Sequence, residues 1–215
     1  MQASTLRLEA EQLGSMGTPA RACTRGPIAR LLKLAAAALL ASSLLLVLPS
    51  GAPLGAVHAR AAGCKHSQRA PRTVSRTNAR RAVVCLVNRK RHRHGMGGLD
   101  LKRSLNHAGE RHSRYMGSHN CFSHQCPGEQ NLTGRVDDTS YLPCNCYWGL
   151  GETIAWSGGA TPRSIVRQWM HSPPHRAILL DSSLHDVGIG LVWGSPSNRR
   201  AKAATYTADL GYKHH

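Results

Sequence analysis

Two imidazoles and a carboxylate, those of His124, Glu152 and His175, are the side chains of this sequence whose types could do chemistry together. Neutral imidazoles with a carboxylate suit a divalent transition metal such as zinc that keeps open coordination positions. The same three could run acid–base chemistry, with Glu152 orienting a histidine that activates water or the Ser123 hydroxyl. Each also has an ordinary structural use. Glu152 follows a glycine and could accept backbone amides as a loop clasp. His175 follows two prolines and could cap or pack a helix, and His124 lies between two cysteines. His112 is a weaker candidate, because it sits on the inward stripe of a helix, where a lone histidine is most often a satisfied core residue.

Periodicity and punctuation outline the elements that must position these groups. Asn78 can cap a helix in which Ala82, Cys85, Leu86 and Arg89 share a face, and Gly95 with Gly97-Gly98 ends it. Leu101, Leu105, Ala108, His112 and Met116 recur at helical spacing over about 102–118. Residues 120–151, rich in Cys, Gly, Pro and Asp, read as a long loop ordered by disulfides. Asn131-Leu132-Thr133 fits the glycosylation pattern, a signal too short to carry weight. Thr161-Pro162 opens a helix through Trp169-Met170, and Ser172-Pro173-Pro174 repeats the device before His175–Leu180. Asp186–Trp193 and Ala204–Leu210 read as strands parted by a Gly-Ser-Pro-Ser-Asn turn region. Helices first and antiparallel strands late define an α+β class with helices packed on a small sheet, and Trp156 and Trp169 belong to its core.

The amino-terminal part has the pattern of an export signal. Arg21, Arg25, Arg30 and Lys33 precede an apolar run, Leu34–Leu48, broken only by Ser42 and Ser43. Its 15 residues fall short of the roughly 20 that span a bilayer as a helix, so no stable transmembrane segment is expected in the mature chain. Cleavage is expected near Ala59 or Ala61, and Met16 is an alternative start. Ala61-Ala62-Gly63-Cys64 faintly resembles a lipoprotein box but lies far beyond the apolar run. The chain therefore divides into a leader over 1–61, a basic linker or arm over 62–78, and one domain over 79–215. Without the leader the formal charge falls from +17 to +13, since six cationic and two acidic side chains go with it. Such a charge favours an anionic surface, whether nucleic acid, membrane lipid or cell-wall polymer, and its plainer reading is a solvated face. Specific nucleic-acid binding is not expected, because no motif with interleaved aromatics occurs. Six of the seven cysteines lie beyond the leader: Cys64, Cys85, Cys121, Cys126, Cys144 and Cys146. In an exported domain they imply up to three disulfides, and Cys144-Asn145-Cys146 is too short to close on itself, so those two are expected to reach different partners.

Seven segments then join up. They are Cys85-Leu86-Val87-Asn88-Arg89, Leu105-Asn106-His107-Ala108 with His112-Ser113 and Met116, Phe122-Ser123-His124, Gly151-Glu152-Thr153-Ile154-Ala155-Trp156, Trp169-Met170-His171-Ser172-Pro173-Pro174-His175-Arg176, Val187-Gly188-Ile189-Gly190 and Thr205-Tyr206-Thr207. In order and spacing they resemble the bacterial CAP superfamily of cysteine-rich secretory, antigen-five and pathogenesis-related proteins, over about 79–211. The resemblance implies an α-β-α sandwich with a central antiparallel sheet and a solvent-open cleft, lined in many members by two His and two Glu. Carried over by motif, His124 matches the first His and Glu152 a Glu, while Ser172 and Thr205 stand where the second Glu and second His often lie. His175 is the expected substitute. His124, Glu152, His175, Ser123 and His112 are thus the candidate cleft residues, and a metal would fall to His124, Glu152 and His175. The resemblance implies a secreted, monomeric binding module for a lipid, metal or envelope ligand, with a metal-assisted or acid–base hydrolase as the alternative. A third reading is an envelope-interaction protein using the basic arm Lys65–Arg81.

Overall fold

The computed structural model of the chain describes residues 63–142, 147–196 and 202–214. All of the leader, and both Cys144 and Cys146, lie outside the described residues. The elements run α1 (Arg76–Arg93), β1 (Asp100–Leu101), α2 (Arg103–His119), α3 (Leu132–Asp137), β2 (Tyr147–Gly158), α4 (Pro162–His171), α5 (Pro173–Leu179), β3 (Asp186–Trp193) and β4 (Ala203–His214). The sheet has the order β1-β3-β4-β2. β4 pairs antiparallel with both β2 and β3, and only the two-residue β1 lies parallel, against β3. Among the described residues no helix is long and apolar enough to cross a membrane.

Strand alternation assigns the two faces. Ala155, Tyr206, Ala208 and Leu210 join α1 and α4 residues, Trp169 among them, in the larger core. Leu150 joins α2 and α3 residues in a second cluster on the opposite face. The result is the expected α-β-α sandwich. α2 reaches β3 by backbone contact: a Cβ at Gly188 or Gly190 would lie 2.1 Å from the backbone of Leu105 or Gly109. Only glycine lets the helix approach so closely, and that approach lays His112 and Ser113 over the sheet, with Ser113 Oγ 2.8 Å from Thr207 Oγ1 of β4.

Several boundaries differ from the sequence reading. α1 is capped by Ser75, whose Oγ accepts from the Asn78 amide, and its buried face is Ala79, Ala82, Val83, Val87 and Arg91. Arg91 is buried because its guanidinium donates to the carbonyls of Leu179, Asp181 and Leu184, closing the C-terminal end of α5. The span read as loop contains α3 and the start of β2. Asn131 of the sequon-like tripeptide is the α3 cap, its Oδ1 accepting from the Gly134 amide at 2.9 Å.

Two disulfides form among the described residues, Cys64–Cys85 and Cys121–Cys126. The first ties the start of the arm to α1, so the arm is tethered at Cys64. Cys144 and Cys146, expected to reach different partners, lie outside the described residues.

Candidate functional site

β2 is an edge strand, and its Glu152 points to the α2 face, where only 3% of its side chain is exposed. Four segments converge on it. The loop closed by Cys121–Cys126 brings His124, whose Nδ1 lies 2.7 Å from Glu152 Oε1. α3 brings Arg135, whose Nη2 donates to Glu152 Oε2 at 2.5 Å. α2 brings His112, with Nε2 at 3.8 Å from the same oxygen. β4 brings Asp209, the cross-strand partner of Glu152. His175, near the start of α5, completes the group from the other side of the strand edge, its ring 6.1 Å from that of His124.

The sequence-selected set therefore gathers: His124, Glu152 and His175 lie together, with the two imidazoles half-buried at the rim and the carboxylate sealed beneath them. His112 is fully buried, its Nδ1 2.9 Å from both oxygens of Glu129. Ser123 is exposed, and its Oγ accepts from the Gln125 amide at 3.4 Å. Ser172, between α4 and α5, caps their junction, and Thr205 donates to the Gly194 carbonyl at 2.9 Å. Neither supplies a further acid or base.

Sequence reasoning missed Glu129, Arg135 and Asp209. Arg135 is the hinge of the arrangement. Besides Glu152, its Nη1 donates to the carbonyls of His124 (3.1 Å) and Gln130 (2.9 Å) and lies 3.9 Å from Glu129 Oε2. The one available signal was the alternation Thr205, Thr207, Asp209, a polar row in an otherwise apolar strand that marks a face turned toward polar partners.

The electrostatics follow from burial and pairing. Burial alone would raise the Glu152 carboxyl, but His112, His124 and Arg135 together hold it down at about 2. It is ionised, so His124 Nδ1 carries the proton of the 2.7 Å contact. Asp209 is fully buried, and among the described residues neither of its oxygens has a hydrogen-bond partner. Burial first, then the Glu152 charge, push its carboxyl well above the usual range, in favour of the neutral acid. Glu152 acts on it through charge, at a geometry short of a standard hydrogen bond. Burial, then the neighbouring His124, lower His175 to about 4, against a smaller opposing pull from Glu152. The rim thus presents His175 as a neutral imidazole at neutral pH.

A divalent metal fits these groups poorly. Glu152 commits one oxygen to His124 and the other to Arg135, and among the described residues no three His, Cys, Asp or Glu side chains are spaced to hold an ion.

With fold and site in place, the class of protein follows. The chain belongs to the cysteine-rich secretory protein family, CAP, whose sequence profile matches residues 84–207. It is 29% identical over 137 residues to the uncharacterized protein YkwD of Bacillus subtilis, a match that covers 59% of this chain and 51% of that one. The chain thus spans about half the length of this curated relative. Among solved structures, an outer surface protein of Borrelia burgdorferi superposes with a TM-score of 0.51 at 14% identity, over 61% of this chain and 90% of that one. An extracellular SCP-domain protein of Bacillus anthracis gives 0.51 at 21% identity, over 64% and 43%. These likenesses establish the fold.

Proposed function

We propose that the chain is a secreted, non-catalytic binding module that engages an anionic cell-envelope polymer at the rim formed by His124 and His175. The carrying observation is that Glu152 has both oxygens committed, to His124 and to Arg135, and is sealed from solvent. A carboxylate so placed orients an imidazole and does not itself meet a ligand. The charge of +17, +13 without the leader, supplies long-range attraction to such a polymer. Secretion is supported by the two disulfides, which persist in oxidising compartments. The test is retention of the purified protein on isolated envelope material, before and after the anionic polymer is stripped from it, with lipid vesicles as a further arm. His124→Ala/His175→Ala is expected to lower retention about tenfold, the loss of roughly one charge-assisted hydrogen bond. Undiminished retention removes the rim as the binding site.

The 2.7 Å His124–Glu152 contact favours a second reading. A carboxylate holding Nδ1–H of an imidazole leaves the other ring nitrogen as a general base, the arrangement of an acid–base hydrolase. Turnover of a peptide or cell-wall fragment that His124→Ala abolishes would establish this reading over binding alone.

A further inference from the structure

We propose that a crevice away from the His124 rim, between the second half of α2 and the end of the β3–β4 pair, is a binding site for a small organic anion, a carboxylate or a phosphate ester. It encloses about 380 Å³, at the lower end of the roughly 300–1,000 Å³ usual for small-molecule sites. Ser113, Val192 and Thr205 line it with Arg72 and Arg114, and among the described residues no Asp or Glu does. Two glycines border open space there. A Cβ at Gly117 of α2, or at Gly194 beyond β3, would meet nothing within 4 Å.

The sign of the ligand comes from an uneven charge cluster beside the crevice. Glu110, one turn before Arg114, is shared by three guanidiniums: Arg76 Nη1 at 2.9 Å, Arg114 Nη2 at 2.9 Å, and Arg80. One carboxylate cannot balance three cations, so the cluster keeps a surplus of positive charge. Local surplus charge beside a concave, carboxylate-free wall raises the concentration of anions at that point. Guanidiniums supply the paired donors that a carboxylate or phosphate accepts, while the Val192 side chain and the two glycines leave room for the carbon skeleton.

The purified protein, labelled with nitrogen-15, tests this with three probes: glucuronate, glucose 6-phosphate and uncharged glucose. Saturable shifts of the Gly117, Gly194 and Ser195 amides with either charged sugar are expected, and which of the two acts assigns carboxylate or phosphate. Arg72→Gln/Arg114→Gln should weaken binding about tenfold, and Gly117→Met, which fills the crevice from a helical position open to it, should abolish the shifts. His124→Ala should leave them unchanged, which separates this site from the rim. No saturable shift with either charged sugar, an equal response to glucose, or shifts that survive Gly117→Met would overturn the proposal.

Discussion

Arg135→Met tests whether the site is organised around a buried charge. The side chain is 3% exposed, as is Glu152, and methionine keeps most of its apolar stem while removing the guanidinium. Two routes give the cost. Breaking a buried ion pair by deleting one partner costs about 3–5 kcal/mol, because the other charge stays buried. Independently, the shift of the Glu152 carboxyl from 4.5 to about 2 corresponds to about 3 kcal/mol in favour of the ionised form. Arg135 shares that with His112 and His124, but it also holds the carbonyls of His124 and Gln130, so a loss of about 3 kcal/mol is expected at pH 7. The sign with pH is fixed by the direction of the shift. A depressed carboxyl stabilises the fold fully above 4.5, and that stabilisation disappears as pH falls through about 2. In the variant the carboxyl moves up, so the gap between parent and variant is widest at neutral pH and narrows on acidification. Urea unfolding at pH 7 and pH 3 measures both stabilities, and Glu152→Gln in the Arg135→Met background should recover part of the loss. A cost below about 1 kcal/mol, or an equal gap at both pH values, would refute the buried-charge account.

Asp209→Asn should stabilise the protein at pH 8 and lose that advantage near pH 4. The raised carboxyl of the parent stays protonated in the fold and ionises on unfolding, so parent stability falls as pH rises above 3.8; an advantage that does not change with pH counts against a neutral Asp209. His175 should show a proton NMR titration midpoint near 4, and a midpoint above 6 would mean that the rim is more open to water than burial implies. Because its folded value lies below its ordinary one, its contribution is complete above about 6.5 and is lost as pH falls toward 4. Removing Cys64–Cys85, with a sequence separation of 21, should cost about 3 kcal/mol, and Cys121–Cys126, with one of 5, about 2 kcal/mol by loop entropy. Thermal unfolding of the paired Cys→Ala variants gives both, and a larger loss for the shorter loop would show that native packing outweighs chain entropy.

Local chemistry decided which parts of the fold could be read in advance. β3 coincides with the expected strand, and α2 is displaced by one residue at each end, because alternation or a helical stripe marks each with turn residues at its limits. The Thr-Pro and Ser-Pro-Pro devices located α4 and α5 for the same reason. β2 escaped because glycine in a strand usually signals a turn, and here it signals cover. A Cβ at Gly149 would lie 2.4 Å from the Tyr212 ring, and one at Gly151 would lie 2.8 Å from Ile178. Those neighbours are 63 and 27 residues away in sequence, so no local pattern reports them. Arg135 and Glu129 were hidden in the same way: their partners Glu152 and His112 lie 17 residues off in each case, and the span that carries Arg135 and Glu129 themselves read as loop.

The division of labour at the site follows from where charge is tolerated. Full charges can be buried only in pairs, and the interior holds Glu152 against Arg135, while Glu129 accepts the Nδ1 contact of His112. Asp209, whose oxygens have no hydrogen-bond partner among the described residues, has its carboxyl pushed upward by burial instead. What reaches the rim is therefore imidazole. An exposed glutamate in that position would repel an anionic polymer, whereas a sealed, neutralised one holds His124 in orientation without opposing it. Under the proposed function, Ser172 and Thr205 add no charge at the rim, and the cationic surface sets the affinity. Binding governed by that surface should weaken steeply with salt, while the orientation of His124 by the sealed Glu152 should not.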